Sequence, residues 1–311
     1  AIKDGMKGMA ITDHGVMFGI KEFADYCAKK NKERKANGEE PFKPIFGCEM
    51  YVARRKQTDK VKEMHDNSGY HLVVLAKNYN GYKNLIKLVS NAWVDGYYYR
   101  PRTDREQLEK YHEDLIVCTA CLAGEIPAKI RKGDIEGARE ACLWYKNLFG
   151  EDFYLELQRH EVTDPTLIAN REAYPLQQQV NKVLMQFSKE YGIKLVCTND
   201  SHFEDKETAE AHDHLLCLST NEDLDDPKRM RYSKQEWFKT REEMNQVFED
   251  VPEAMANTIE ILNKVEMYNI DHGPIMPFFP IPEDFGTEEE WRQIFSEEDL
   301  LKEFKIGRAH V

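Results

Sequence analysis

Residues 8–15 read GMAITDHG, a short apolar run that leads directly into an Asp-His-Gly sequence. A similar arrangement returns at residues 193–202, IKLVCTNDSH, where a second apolar run is followed by an Asp-Ser-His sequence. A short apolar run bounded by polar and turn-forming residues is typical of a buried β-strand. Because functional groups in β/α folds collect at strand ends, both segments are expected to face one candidate site.

Between these two segments, short apolar runs alternate with longer stretches of helical periodicity. The predicted strands are 8–12, 44–52, 71–76, 115–118, 153–157 and 193–197. The predicted helices are 18–30, 82–92, 135–148, 173–191 and 207–218. This alternation predicts parallel β/α units, in either a barrel or an open doubly wound sheet. The nucleotide-binding sequences GxGxxG and GxxxxGK[ST] are missing, which disfavours a nucleotide-binding sheet.

The composition is that of a folded protein with negative net charge. The chain has 311 residues, 41% of them apolar, enough for a sizeable core. Its 43 Lys and Arg against 56 Asp and Glu give a net charge of −13. This balance argues against nucleic-acid binding by the whole surface but allows a local basic groove. No apolar window is long enough to cross a membrane, and the first residues lack the order of a signal peptide.

The seven cysteines are odd in number, scattered, and mostly placed in apolar runs. They therefore predict reduced core thiols of a cytoplasmic protein rather than a disulfide framework. Cys118 and Cys121 form one CxxC pair, and a zinc knuckle would need a second pair.

Both ends of the chain look unnatural. Ala1 is not Met and stands close to the first strand, so we expect an N-terminal truncation. Residues 306–311, IGRAHV, break the preceding amphipathic pattern and resemble a translated sequencing adapter, so we interpret them as a non-native tail. From about residue 242 the pattern predicts two helices, and the Pro-rich stretch HGPIMPFFPIPEDFG predicts an extended linker.

Side chains with metal-ligand chemistry stand at or near the ends of the predicted strands. The candidates, from five separate segments, are His14, Glu49, His71, Cys121, Asp200 and His202. Imidazole, thiolate and carboxylate together suit Zn²⁺, or Mn²⁺ and Fe²⁺ where oxygen ligands dominate. We expect Asp200 and His202 to lie on an extended segment, in which alternation points both side chains to one side.

Each of these residues also has an ordinary structural interpretation. His14 could be a turn residue, Glu49 a core carboxylate paired with an arginine, His71 a backbone cap and Cys121 a buried thiol. Their occurrence on different β/α units points to a shared metal site.

Several longer stretches carry a family resemblance. ITDHG, KPIFGCEMYVA, HLVVLAKNYNGYKNLIKLVS, ACLAGEIP, LVCTNDSH and AHDHLLCLST occur in the order typical of the PHP (polymerase and histidinol phosphatase) domain. The stretches GYYYRPR, FYLELQRH, DPKRMRY and PEAMANTIEI narrow the resemblance to the PHP domain of bacterial DNA polymerase III alpha subunits. The resemblance extends over nearly the whole chain.

The resemblance implies a distorted (β/α)7 barrel with up to three divalent ions, Zn²⁺ or Mn²⁺, held by nine side chains. The six candidates match six of those nine ligands. The remaining three belong to a His-x-His segment and a following acidic residue, which this chain lacks before His14. On this basis we expect the site to be incomplete and weak for metal.

The resemblance also implies a fragment of a replicative polymerase. The parent would carry out template-directed DNA synthesis with Mg²⁺ and would bind DNA, deoxynucleotides and other replicative subunits, with its polymerase carboxylates outside this chain. We expect a PHP-like metal-binding barrel with appended helices over 1–265, a linker and the start of the polymerase region over 266–305, and the tail over 306–311.

The domain itself would act as a metal-dependent 3′–5′ exonuclease or phosphoesterase, or as a scaffold that docks a proofreading exonuclease subunit. The alternative is a standalone PHP-family phosphatase acting on a small phosphate monoester. We expect no DNA polymerase activity from the chain alone.

Two stretches combine aromatic and cationic side chains. GYYYRPR at 96–102 could contact nucleic acid or another domain, but we favour a packed surface turn, and the stretch around Arg229 and Arg231 is similar. His160 is a candidate to line the mouth of the barrel as a supporting group, and His212 is a candidate to approach the site.

Overall fold

The computed structural model describes residues 1–278, 283–296, 298, 299 and 302, so the tail predicted at 306–311 lies outside the described residues. The chain divides into two compact units, Ala1–Ile270 and Asp271–Val311. In the second unit the described elements are a 3-10 helix, Glu283–Phe285, and a helix, Glu288–Ile294. The barrel and the candidate site belong to the first unit.

The strands of the first unit confirm all six predicted strands. Its described residues form β1 (Gly8–Ile11), β2 (Lys43–Ala53), β3 (Gly69–Ala76), β4 (Arg102–Thr103), β5 (Leu115–Cys118), β6 (Phe153–Leu157) and β7 (Lys194–Cys197). They make a seven-stranded sheet in the order β1-β2-β3-β5-β6-β7, with β4 paired to β2. The sequence did not predict β4, which is two residues long.

Helices connect these strands. They are α1 (Ile20–Ala36), α2 (Tyr79–Val94), α3 (Arg105–Tyr111), α4 (Glu125–Arg131), α5 (Ile135–Phe149), α6 (Ala173–Tyr191), α7 (Ala209–Thr220), α8 (Arg241–Val247) and α9 (Pro252–Lys264). Short 3-10 helices lie at Ile2–Asp4, Lys62–Met64, Gly150–Asp152, Pro165–Asn170 and Lys206–Thr208. Among the described residues, no helix has the length and apolar character that a membrane crossing requires.

Polar side chains fix where several helices begin. The side chains of Asn78, Asp104 and Asp134 accept hydrogen bonds from the backbone N–H groups three residues further on. Thr240 and Glu243 form a reciprocal capping box at the start of α8. Each cap satisfies backbone donors that have no partner within the helix.

The sheet is mixed, which differs from the all-parallel arrangement that we predicted. β1 and β2 are parallel, as are β5, β6 and β7, but β3 runs antiparallel to both β2 and β5. A parallel pair needs a crossover connection, usually a helix. Residues 54–68 between β2 and β3 are all described and contain a single 3-10 turn, Lys62–Met64, so the chain returns in the opposite direction.

The two faces of the sheet have different neighbours. Side chains such as Met50, Val74 and Leu155 belong to the large core that includes residues of the connecting helices. On the other face, Ile45, Leu75, Ile116, Tyr154 and Val196 pack with Ile261, Leu262 and Val265 from α9 and the residue after it. The predicted α/β class is therefore confirmed, and the curled sheet with its helices matches a fragment of a distorted (β/α)7 barrel.

Candidate metal centre

His14 is positioned by an extension of the β1–β2 pairing. Glu49 N–H donates to the Asp13 carbonyl at 3.0 Å, and Gly15 N–H donates to the Glu49 carbonyl at 2.9 Å. Gly15 has a φ of +66°, and an added Cβ there would lie 2.8 Å from Pro101 Cγ. Only glycine fits this turn, which holds the imidazole of His14 beside β2.

Glu49 lies at the centre of the cluster. Its carboxylate is 5% exposed, on the face of β2 that also carries Ile45. Glu49 Oε1 lies 2.8 Å from His71 Nδ1, and Glu49 Oε2 lies 3.5 Å from His14 Nε2. One donor atom from each of these three residues lies within 4.8 Å of the other two, which is the spacing of a candidate metal site.

The antiparallel direction of β3 explains why His71 joins this cluster from the start of its strand. In the β2–β3 register His71 pairs with Tyr51, near the end of β2. His71 N–H donates to the Ala123 carbonyl at 3.1 Å, which holds the loop after β5 against β3. Cys121 of that loop therefore places its Sγ 3.5 Å from His71 Nδ1 and 3.9 Å from Glu49 Oε1.

Asp200 and His202 come from the loop after β7. The His202 ring centroid lies 5.8 Å from that of His14, and His202 Nδ1 lies 3.8 Å from Asp200 Oδ1. The backbone differs from the extended segment that we predicted, because Asp200 has a φ of +48°. The His202 ring is instead oriented by the Asp200 carbonyl, 2.6 Å from its Nδ1, and by the Tyr232 hydroxyl, 3.1 Å from its Nε2.

Burial and neighbouring charges perturb the pKa values of the cluster. Burial raises the pKa of Asp200 to about 6, and the nearby Glu49 carboxylate adds to this shift. Burial also raises the pKa of Glu49, but the His71 hydrogen bond and the neighbouring His14 outweigh it and hold that pKa below its usual value. Burial lowers the pKa of His14 and raises that of the Cys121 thiol well above its usual value. A His14 imidazole with a lowered pKa beside the Glu49 carboxylate favours a bound cation.

The structure thus brings the six candidates of the sequence together. His14, Glu49, His71 and Cys121 are joined by direct contacts. The His202 ring lies beside the His14 ring. Asp200 Oδ1 lies near His202 Nδ1, and the charge of Glu49 contributes to the raised pKa of Asp200.

Two further histidines lie close to the cluster without entering it. His160 is 3% exposed, and its Nε2 lies 3.0 Å from the Asn199 carbonyl, so it supports the loop that carries Asp200. The His212 ring lies 5.8 Å from the His202 ring, centroid to centroid. His212 thus approaches the cluster as expected, whereas His160 is buried behind the loop rather than lining the mouth.

Three residues near the cluster were missed by the sequence reasoning. Tyr51 packs its ring against His71 at 5.1 Å, and Tyr232 holds His202. Glu156 is 5% exposed, accepts hydrogen bonds from Thr198 Oγ1 and the Ala120 N–H, and has its pKa raised to about 7, mainly by burial. The two-residue period of β2 and β6 would have found Tyr51 and Glu156, but no local signal marks Tyr232.

Comparison with known proteins defines the class of the chain. The sequence profile of the PHP domain matches residues 1–160, and the chain belongs to the PHP domain family.

The relatives narrow this class. The chain is 40% identical over 307 residues to the DNA polymerase III subunit alpha of Borreliella burgdorferi, covering 98% of this chain and 25% of the relative. It is 35% identical over 289 residues to the corresponding subunit of Treponema pallidum, covering 92% of this chain and 23% of the relative. It is 36% identical over 284 residues to the DNA polymerase III subunit alpha of Thermus aquaticus, covering 88% of this chain and 21% of the relative. The resemblance identified from the sequence is confirmed, and the chain spans a quarter or less of the length of these relatives.

Proposed function

We propose that this chain is the PHP domain of a DNA polymerase III alpha subunit, and that its six clustered side chains bind divalent metal ions for phosphodiester hydrolysis. The observation that carries the proposal is the triad of His14, Glu49 and His71 donor atoms within 4.8 Å of one another. The similarity over 98% of the chain supports the assignment to the alpha subunit.

The residues present fit a divalent ion. Two imidazoles, a carboxylate and a thiol gathered around Glu49 are the donors that Zn²⁺ prefers, and the carboxylates of Glu49 and Asp200 also suit Mn²⁺. We propose Zn²⁺ or Mn²⁺, with up to three ions in the intact domain. The chemistry that such ions supply is polarisation of a phosphoryl oxygen and activation of water.

The remaining residues prepare the site for its ligands. Tyr232 orients the His202 imidazole through its Nε2, and the backbone carbonyl of Asp200 contacts the other ring nitrogen. Glu156, Thr198 and Gln158 form a buried hydrogen-bonded group next to the loops that carry Cys121 and Asp200. Such supporting contacts lower the cost of ordering ligands before binding.

For the whole protein we propose template-directed DNA synthesis in the cytoplasm, with Mg²⁺, DNA and deoxynucleotides, at a site outside this chain. Replicative subunits, among them a proofreading exonuclease, are the proposed partners. Within the chain, we propose the barrel with its appended helices over 1–265, followed by a linker and the start of the polymerase region over 266–305. The standalone phosphatase has less support, because these relatives match almost the whole chain.

Metal analysis tests the proposal. In equilibrium dialysis against rising concentrations of free Mn²⁺ or Zn²⁺, the chain should bind about one ion per molecule at saturation, even though a site with six of nine ligands is expected to be weak. Glu49→Gln should lose most of this metal. The control is Glu260→Gln, which removes a carboxylate beside Tyr154 and Lys194 and should leave the bound metal unchanged.

Hydrolysis of a 3′-labelled single-stranded oligonucleotide by the metal-loaded chain then separates a nuclease from a scaffold. If the chain retains no metal under any of these conditions, the metal proposal is wrong and the domain is a scaffold.

A further inference from the structure

Exposed aromatic side chains gather where α2 ends and the following loop begins. Trp93, Tyr97 and Tyr99 are 44%, 46% and 58% exposed. The Trp93 and Tyr97 rings stack with centroids 5.3 Å apart and planes 20° apart. Large aromatic rings seldom stay this exposed as a group unless they bind something.

These rings stand directly beside the candidate metal centre. Trp93 Nε1 donates to the Gly15 carbonyl at 2.8 Å, and Gly15 follows His14 in the chain. The Arg100 guanidinium lies 5.8 Å from the Tyr51 ring centroid, and that ring packs against His71. The aromatic group is therefore continuous with the mouth of the barrel.

Arg100 adds an available positive charge. It is exposed, and within the described part of the chain its guanidinium forms no ion pair with a carboxylate. Its charge contributes to the lowered pKa of His14, after burial and the neighbouring histidines, which places Arg100 within electrostatic range of the cluster.

The backbone of this loop is held rigidly. Arg102 is fully buried and donates to the carbonyls of Gly96, Gln57 and Asp59 at 3.1, 2.7 and 2.9 Å. Tyr99 has a φ of +62°, and Tyr98 N–H donates to the Arg100 carbonyl at 3.1 Å. The packed turn favoured from the sequence is therefore present at Arg102. The aromatic rings and Arg100 project from this ordered backbone and remain accessible to a ligand.

We propose that Trp93, Tyr97, Tyr99 and Arg100, the aromatic rim, bind the end of a single-stranded DNA and present its backbone to the metal centre. Bases stack on aromatic faces, and an arginine beside them pairs with the phosphate that joins the bases. A small phosphate monoester has no base to occupy the rings. The inference rests on the proposed function for its substrate, and the rim is distinct from the metal ligands.

Fluorescence anisotropy with a labelled ten-nucleotide oligothymidylate, measured on this chain without metal, tests the rim. Tyr97→Ala and Arg100→Gln should each weaken binding by about 5- to 50-fold, and Arg100→Lys should recover part of the loss. The matched control is Tyr26→Ala, which removes a tyrosine that is 57% exposed and has Lys30 near its ring. It should leave the affinity unchanged. Circular dichroism checks folding, and Arg100→Gln alone decides the matter if Tyr97→Ala unfolds.

Metal binding, measured by equilibrium dialysis on separate portions of the same proteins, separates the two proposals. Oligonucleotide binding that the rim variants weaken, in a chain that retains no metal, supports the rim and removes the proposed metal function. The proposal that the aromatic rim binds DNA is wrong if oligonucleotide binding is undetectable, or if both rim variants leave it unchanged, whatever the metal content.

Discussion

His71 Nδ1 lies 2.8 Å from Glu49 Oε1, although the two residues are 22 positions apart and stand on strands that run in opposite directions. The reversal of β3 brings the start of that strand to the end of β2. A parallel β3 would have placed His71 at the opposite end of the barrel. The mixed sheet is therefore what assembles the candidate metal centre.

Divalent metal should stabilise the fold. With free Mn²⁺ or Zn²⁺ at a hundred times its dissociation constant, the free energy of unfolding should rise by about 2.7 kcal/mol, because only the folded chain assembles the donors. The melting temperature should then rise by about 5–10 °C. Glu49→Gln should abolish the rise in a thermal melt, whereas Glu260→Gln should preserve it. An equal rise in both variants would mean that the metal binds elsewhere.

Substitution of Gly15 should lower the free energy of unfolding more than substitution of a glycine that has a positive φ but no close neighbours. In Gly15→Ala the new Cβ meets Pro101 and Tyr51, and the positive φ is strained, so we expect a loss of about 2–4 kcal/mol. Gly133 has a φ of +78°, but nothing lies within 4 Å of an added Cβ. Gly133→Ala should therefore lower the free energy of unfolding by about 1 kcal/mol. Urea unfolding measures both. Equal losses would show that the contacts at Gly15 contribute nothing.

Arg102 should not tolerate lysine. Its guanidinium reaches three carbonyls from a fully buried position, and a single ammonium group cannot replace that fork. Arg102→Lys should cost about 2–3 kcal/mol in urea unfolding. The control, Arg131→Lys at an exposed position with one bond to the Leu122 carbonyl, should cost under about 0.5 kcal/mol.

Glu260 should make the stability fall in acid. The Lys194 hydrogen bond, with further bonds from Tyr154 and Lys264, holds its pKa at about 2. A folded pKa below the unfolded value means that the contribution is complete above about pH 4.5 and is lost as the pH falls toward 2. Glu260→Gln should therefore destabilise the chain at pH 7 and converge with the wild type at low pH. Chemical unfolding at pH 7, 4 and 3 checks this, and a difference independent of pH would contradict it.

The sequence was sufficient to locate the strands, because each is a short apolar run bounded by turn residues. It did not determine their direction, since the alternation of apolar residues is the same in either sense. β4, α3 and α4 were missed because two to seven residues carry little periodicity.

Individual ligands were visible from the sequence, but their supporting contacts were not. His14, Glu49 and Asp200 could be proposed because polar groups beside apolar runs are unusual. The Tyr232 contact with His202 spans 30 residues and depends on a loop that has no regular pattern. The two arginines of the GYYYRPR stretch also look alike in sequence, yet Arg102 is buried and Arg100 is exposed, because only tertiary packing distinguishes them.

Anomalous diffraction from crystals of the chain grown with Mn²⁺ or Zn²⁺ tests the metal proposal most directly. We predict an anomalous peak at the ion's absorption edge, about 2.0–2.2 Å from His14 Nε2, a Glu49 carboxylate oxygen and a His71 ring nitrogen. Crystals of Glu49→Gln should lose that peak. Ordered side chains with no peak between them at saturating metal would contradict the proposal, and the cluster would then be a hydrogen-bonded structural network.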